Sequence, residues 1–518
     1  MKVYKGTIIS VDANNGIYKY LVEDMGKIVF VGDELPAEYS GAEVVDLGEG
    51  ALMPTFADTH SHFASFAVLA TTVRLDKAES NAEMLELLKA KDKTLKKSKM
   101  IMAYGAHDRV PEGRLLDKGD LDRLFPKRRV VIITKDGHTA ILNTQTLKKM
   151  PKDLKKVRGY DTESGIIHHE AFYKVVDNLP KVLDKLDVLN SFQQAIDEYI
   201  SKGVSIVSAM SGSGFPRDLD VDFLTWLSRG QGSGFTFRIF IQSFDIKKAQ
   251  KRKLPRIGGC FKTALDGSIT SRDAAMLEPY EGTENKGILY YTDEELFENL
   301  DRANRAGLQI QMHAIGDAAF DQGARMLKKA LDAYPRENHR HGLIHASITT
   351  DEGIKICKDY NIQILAQPAF LIPEMIEYMY AALGDRLYRG ERYKTFLENG
   401  IVVSAGSDAP VTMPEPMEWI HKACNHPNEA QKVTLSEAIR MCTYNGAYAT
   451  FDEKERGSLE AGKFADMVIL DKNPYDVPVD KIKDIQIKST ILRGKTYVPK
   501  KRNILFTVLK GMFRKGVC

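Results

Sequence analysis

The chain has 518 residues, 43% of them apolar and 28% charged, with a formal net charge of +3. It is long enough for one large domain with appendages, and the near balance of basic and acidic residues excludes a dedicated nucleic-acid or polyanion binder. The five cysteines (Cys260, Cys357, Cys424, Cys442 and Cys518) are scattered and contain no Cys-x-x-Cys pair, which excludes a disulfide framework and points to reduced thiols.

The first residues, Met1 to Lys5, open no long apolar segment, and no later run approaches a membrane span, so a cytoplasmic protein is expected. Residues 1–50 alternate short β-type runs with turns and are too short to form a complete β domain. Residues 457–500 supply further strand-like runs, so a small β-sandwich built from both termini is expected. Next, Ala51 to Phe63 reads as a buried apolar strand ending at His60 and His62. In an extended backbone residues i and i+2 project to one face, so these two imidazoles aim at one point, which makes half a metal site.

Residues 75–180 read as an inserted α/β subdomain, with a charged helix over residues 82–97 and strands over residues 100–105 and 130–134. The second strand runs into Asp136 and His138. Residues 51–74 and 181–456 alternate strand and helix patterns. Strands two to eight are expected at residues 204–208, 235–241, 259–265, 308–313, 342–345, 362–367 and 401–406. With the opening strand this makes eight strands separated by helices, the signature of an α/β fold of the (β/α)8, TIM-like barrel type. Metal-competent residues then fall at the C-terminal ends of strands one (His60, His62), four (Lys262), five (His313), six (His345) and eight (Asp408), the end at which barrel enzymes build their sites. The tail over residues 501–518 is short and basic, with an amphipathic stretch at residues 502–515. Docking on its own domain or on a sister subunit is the expected role there, and membrane contact is not.

These segments resemble the amidohydrolase superfamily, in the amidohydrolase-3 branch that holds N-substituted formamide deformylases and exoenzyme-regulatory proteins. The resemblance is carried by Asp58-Thr59-His60-Ser61-His62, Asp136-Gly137-His138, Lys262 through Ser268 with Ser271-Arg272, His313 through Asp317, His345-Ala346, Gln367-Pro368, Gly406 through Pro410 and Gly457 through Asp466. It implies that His60, His62 and Asp408 hold one divalent metal, zinc by preference, that His313 and His345 hold a second, and that Lys262, carboxylated by carbon dioxide, bridges the two. An unmodified Lys ammonium has no lone pair to offer a cation, so the bridging role requires that modification.

The activity implied is hydrolysis of a linear amide or formamide-type C–N bond in a small-molecule substrate. Asp408 would act as general base and then acid, and His138 would help to stabilise the oxyanion. Asp136, Arg272 and His107 are candidate substrate contacts; for Arg272 an ion pair with Asp273 is the competing expectation. Three positions depart from the family pattern: Thr55 where Gly is usual, Ile344 where an acid commonly precedes the strand-six histidine, and His107 where Trp is typical. Two other readings remain. A superfamily deaminase would carry His-x-x-Glu on strand five, where this chain has His313-Ala314-Ile315-Gly316. A non-catalytic metal-binding regulator would have no need of Asp408. A homo-oligomer is compatible with either.

Overall fold

The computed structural model describes residues 1–70, 72–96, 99–134, 139–182, 185–213, 215–499 and 504–514. The chain forms two compact units, one of residues 1–63, 197–213 and 220–518 and one of residues 64–196 and 214–219.

The first unit holds an eight-stranded parallel sheet. Its strands are Phe56–Ser61, Val204–Ser211, Thr236–Ile241, Arg256–Gly259, Gln309–Ala314, Gly342–His345, Gln363–Ala366 and Val403–Ala405, each paired with the next in parallel register. The first and last strands meet through a parallel bridge between Ser61 and Ala409, so the sheet curls into the expected barrel. Amphipathic helices such as Asp293–Arg305 and Asp317–Ala333 cover it, the latter burying Phe320, Ala324, Leu327 and Leu331 on one stripe. Thr292 caps the former in a capping box with Glu295.

A seven-stranded sheet in the same unit mixes both ends of the chain. Glu43–Pro54 lies between Lys2–Ile9, which it pairs in parallel, and Met467–Leu470, which it pairs antiparallel. Tyr4, Ile8, Leu21, Leu52 and Met467 pack as its core. Ala51 to Pro54 therefore belong to this sheet and not to barrel strand one. Thr55 is where the chain changes partners: its N–H donates to the Asp466 carbonyl at 3.1 Å, while the next N–H, on Phe56, donates to the Gly203 carbonyl at 2.9 Å. A side chain is tolerated at position 55 because the Thr55 hydroxyl pairs with that of Ser205 at 2.6 Å.

The second unit is built on a five-stranded sheet in the order Ile166–Ile167, Ala140–Leu142, Val130–Thr134, Ile101–Ala106, Val73–Arg74. One apolar cluster holds Leu75, Met84, Leu88, Ile101 and Leu121, and another holds Tyr104, Val131, Leu142, Phe172 and Val175. Its helix Asn81–Thr94 starts at Ser80, whose hydroxyl accepts the Glu83 N–H. The unit extends past the expected 75–180 on both sides. Among the described residues no helix is long and apolar enough to cross a membrane.

Candidate metal centre

Strand one delivers the first two candidate ligands as the alternation requires. The rings of His60 and His62 lie 5.3 Å apart, edge to face. The segment after strand eight is zipped onto them by backbone bonds: Asp408 N–H donates to the His60 carbonyl and His62 N–H to the Ala409 carbonyl, both at 2.8 Å. Asp408 Oδ1 thereby arrives 3.1 Å from His60 Nε2 and 3.2 Å from His62 Nε2. Beneath them Asp58 is fully buried and accepts from the Ser407 N–H and hydroxyl and from the His60 N–H. Burial pushes its carboxyl up to about 6 in spite of these donors. Gly406 makes the approach feasible, since a Cβ there would stand 2.7 Å from the His60 nitrogen.

The opposite wall comes from strands four, five and six. Strand four is only Arg256–Gly259, in register with Gln309 to Met312 of strand five, so Cys260 emerges beside His313. Gly258 allows this pairing: its φ is +128°, and a Cβ would stand 1.8 Å from the Gln311 carbonyl oxygen. Cys260 Sγ lies 3.5 Å from both His60 Nε2 and His313 Nδ1. The His345 ring, at the end of strand six, lies 4.7 Å from that of His313 and 5.3 Å from that of His60. Two of the residues in this ring have left-handed backbones, His345 at φ +69° and Asp408 at φ +53°, a strain of the kind that clusters at functional sites.

The outer hydrogen bonds set which ring nitrogens face inward. His313 Nε2 lies 2.9 Å from the Gly267 carbonyl and donates to it, which turns Nδ1 towards Cys260. Gln367 Nε2 donates to the Leu365 carbonyl, so its Oε1 accepts the His345 Nδ1 proton at 2.6 Å and leaves Nε2 free. Asp266 accepts the N–H groups of Ala275, Ile315 and Gly316 and stands 3.4 Å from His313 Nε2.

Among the described residues three triads of donor atoms result, each within 4.8 Å: His60, His62 and Cys260; Cys260, His313 and His345; His60, His345 and Asp408. The charges are those of a cation cradle. Burial would raise the Cys260 thiol, but His60 and His313 outweigh it and hold it well below its ordinary value. Burial likewise opposes ionisation of Asp408, and the His60 and His62 imidazoles overcome it to keep the carboxylate ionised. Burial would lower His60 and His62, yet Cys260 and Asp408 raise them to about 9 and about 10. Asp408 Oδ1 and His60 Nδ1 are buried without a hydrogen bond of good geometry. Converging imidazole, thiolate and carboxylate donors fit one or two divalent ions of the zinc type.

A model of the amidohydrolase family matches residues 43–498. The chain belongs to the amidohydrolase family. This amidohydrolase is 26% identical to YtcJ of Bacillus subtilis (strain 168), a protein that carries an amidohydrolase name, over 89% of this chain and 92% of that one. It is 23% identical to the N-substituted formamide deformylase of Arthrobacter pascens, over 95% and 97%. An uncharacterized metal-dependent hydrolase from Pyrococcus furiosus superposes with a TM-score of 0.77 at 25% identity, covering 91% of this chain and 99% of that one. The chain is accordingly a metal-dependent hydrolase of carbon–nitrogen bonds acting on small molecules.

The amidohydrolase ring differs from the expected one at strand four. Cys260 stands among the donor atoms there, and Lys262 is exposed on the short turn Phe261–Thr263, where its carbonyl accepts the Tyr291 hydroxyl at 2.6 Å. The strand expected over residues 259–265 ends at Gly259, and Phe261, at φ +51°, turns the chain away. The sulfur of Cys260 stands where the bridging lysine was expected. Two cues preceded it in the sequence: the Gly258-Gly259 pair that ends the strand, and a cysteine directly after it.

Of the remaining candidates, Arg272 is half-buried in the loop after strand four at φ +55°. Asp273 accepts from the Ser268 N–H and the Ser271 hydroxyl, and among the described residues it forms no ion pair with Arg272. His107 follows strand Ile101–Ala106 of the second unit, with Nδ1 buried and unpartnered. Asp136 and His138 lie outside the described residues.

Proposed function

We propose that the chain hydrolyses a linear amide or formamide-type C–N bond, with His60, His62, His313, His345, Asp408 and Cys260 holding the metal, zinc by preference. Bound there, the metal supplies an activated water and polarises the substrate carbonyl. Asp408 does the proton work. Its Oδ1 stands 3.1 and 3.2 Å from His60 Nε2 and His62 Nε2, beside the metal those rings would hold, where it accepts the proton of the attacking water and returns it to the leaving nitrogen. Gln367 and the Gly267 carbonyl hold the His345 and His313 tautomers, so that these rings present lone pairs inward. A thiolate in the ring requires reduced cysteine, in keeping with a cytoplasmic setting and with the free thiols of Cys260, Cys357, Cys424 and Cys442.

The observation that carries this reading is the convergence of three donor triads on one end of the barrel, with an ionised carboxylate among them. One observation bears on the deaminase alternative. The position three residues after His313, where a deaminase would place Glu, is Gly316, and a Cβ there would stand 2.0 Å from the Ala275 carbonyl oxygen. No acid fits at that point of the wall. The test is a product assay on zinc-loaded protein with N-substituted formamides, N-acyl amino acids and aminopyrimidines. Release of amine from the first two classes supports the proposal, and ammonia from aminopyrimidines alone overturns it.

A further inference from the structure

The helix Ile504–Met512 has two faces of different fate. Ile504, Thr507, Val508 and Gly511 turn inward, and Gly511 lies so close to the Trp226 carbonyl of helix Leu219–Gln231 that a Cβ would stand 1.7 Å from it. This half of the helix is docked on its own domain, as expected for the tail. The other face is apolar and open to solvent: Leu505, Leu509 and Met512 are 46%, 53% and 46% exposed, and the adjoining Phe513 is 87% exposed. Spacings of four and three residues place the three helical side chains on one stripe.

The charged residues in this stretch of the sequence have one sign. Residues 499–518 carry six Lys or Arg (Lys500, Lys501, Arg502, Lys510, Arg514 and Lys515) and no Asp or Glu. Lys510 and Arg514 are exposed beside the stripe. A two-fold contact with a second copy would bring this basic segment against itself, which opposes pairing. An exposed Leu, Met and Phe stripe rimmed by cations matches the interface of an anionic bilayer, where the apolar side chains enter the acyl boundary and the cations meet lipid phosphates and carboxylates. Nine residues are too few to span the hydrocarbon core, so the helix would lie in the surface plane.

We propose that the outer face of helix Ile504–Met512 binds the surface of an anionic lipid bilayer and holds the enzyme there reversibly. The test uses the full chain and co-sedimentation with vesicles of phosphatidylcholine alone or mixed with phosphatidylserine. The proposal expects pelleting with phosphatidylserine vesicles only and release by high salt. It also expects loss of pelleting in Leu509→Gln/Phe513→Gln, which changes outward residues and leaves the docked face intact. Lys510→Glu/Arg514→Glu should weaken binding by at least tenfold, since each cation near an anionic surface strengthens it about fivefold. Thermal unfolding of each variant at the wild-type temperature confirms that the fold is kept. Absence of pelleting with either vesicle overturns the proposal, as does equal pelleting with both. A dimer in sedimentation equilibrium that the Leu509→Gln/Phe513→Gln pair dissolves overturns it in favour of a second copy.

Discussion

The two walls of the metal centre are made differently. On the side of strands one and eight, the candidate ligands rest on a buried hydrogen-bonded frame: Asp58 ties Ser407 to the His60 backbone, and two main-chain bonds fix Asp408 against His60 and His62. On the side of strands four to six the candidate ligands have fewer supports, His313 the Gly267 carbonyl with Asp266 3.4 Å away, His345 Gln367, and Cys260 the point at which a four-residue strand stops. The first wall is a rigid base for proton transfer. The second owes its ligand identity to where one strand ends, so a shift of two residues there would exchange sulfur for lysine.

The largest effect expected from this contrast is on the rigid wall. Asp408→Asn keeps an oxygen donor but cannot take a proton, so kcat/KM on a formamide substrate should fall about 10²–10⁴-fold while metal content changes little. Next come the glycines at which each wall closes. Gly258→Ala, with its positive φ and a Cβ that would stand 1.8 Å from the Gln311 carbonyl oxygen, should destabilise the fold by about 2–5 kcal/mol, and Gly406→Ala, whose Cβ would stand 2.7 Å from the His60 backbone nitrogen, by about 1–3 kcal/mol, both read by denaturant unfolding. Equal losses would erase the distinction between the walls.

Gln367→Leu removes the acceptor that orients His345 and should weaken metal binding about 10–100-fold in a chelator competition, with the fold intact. The smallest effect lies at a second buried carboxylate, Glu391, whose N–H donates to the Ser347 carbonyl just after strand six at 2.8 Å. Glu391 accepts the Tyr393 hydroxyl at 2.7 Å, and burial pushes it up to about 7. The folded state therefore keeps a proton that the unfolded chain releases near its ordinary value of about 4.3. The stability this provides is complete below that value and declines as pH rises towards 7, by at most about 1.4 kcal/mol per pH unit. Glu391→Gln should flatten the dependence across that window in thermal unfolding.

The barrel, and the convergence of most of the candidate ligands at its strand ends, were legible in the sequence for identifiable reasons. His60 and His62 follow from the two-residue repeat of an extended strand, and His313, His345 and Asp408 each close an apolar run of strand length. The misreadings also have physical causes. Ala51 to Pro54 look like barrel strand because an apolar run does not say which sheet it pairs with, and only the exchange of partners at Thr55 and Phe56 separates the two. Residues 259–265 look like a strand because Phe, Thr, Ala and Leu suit one, whereas the positive φ of Gly258, Gly259 and Phe261 ends it early. Hydrogen bonds that join distant segments, such as Asp58 to Ser407 or His345 to Gln367, leave no periodic trace in the chain.

The most direct test of the account is the metal content, by elemental analysis, of wild type, Cys260→Ala and Lys262→Ala, all purified without chelator and with bicarbonate present. The account predicts that Lys262→Ala retains the wild-type metal, whereas Cys260→Ala, which removes a donor from two of the three triads, loses half of it or more. Loss of metal in Lys262→Ala with full retention in Cys260→Ala would contradict it and return the bridging role to a carboxylated lysine.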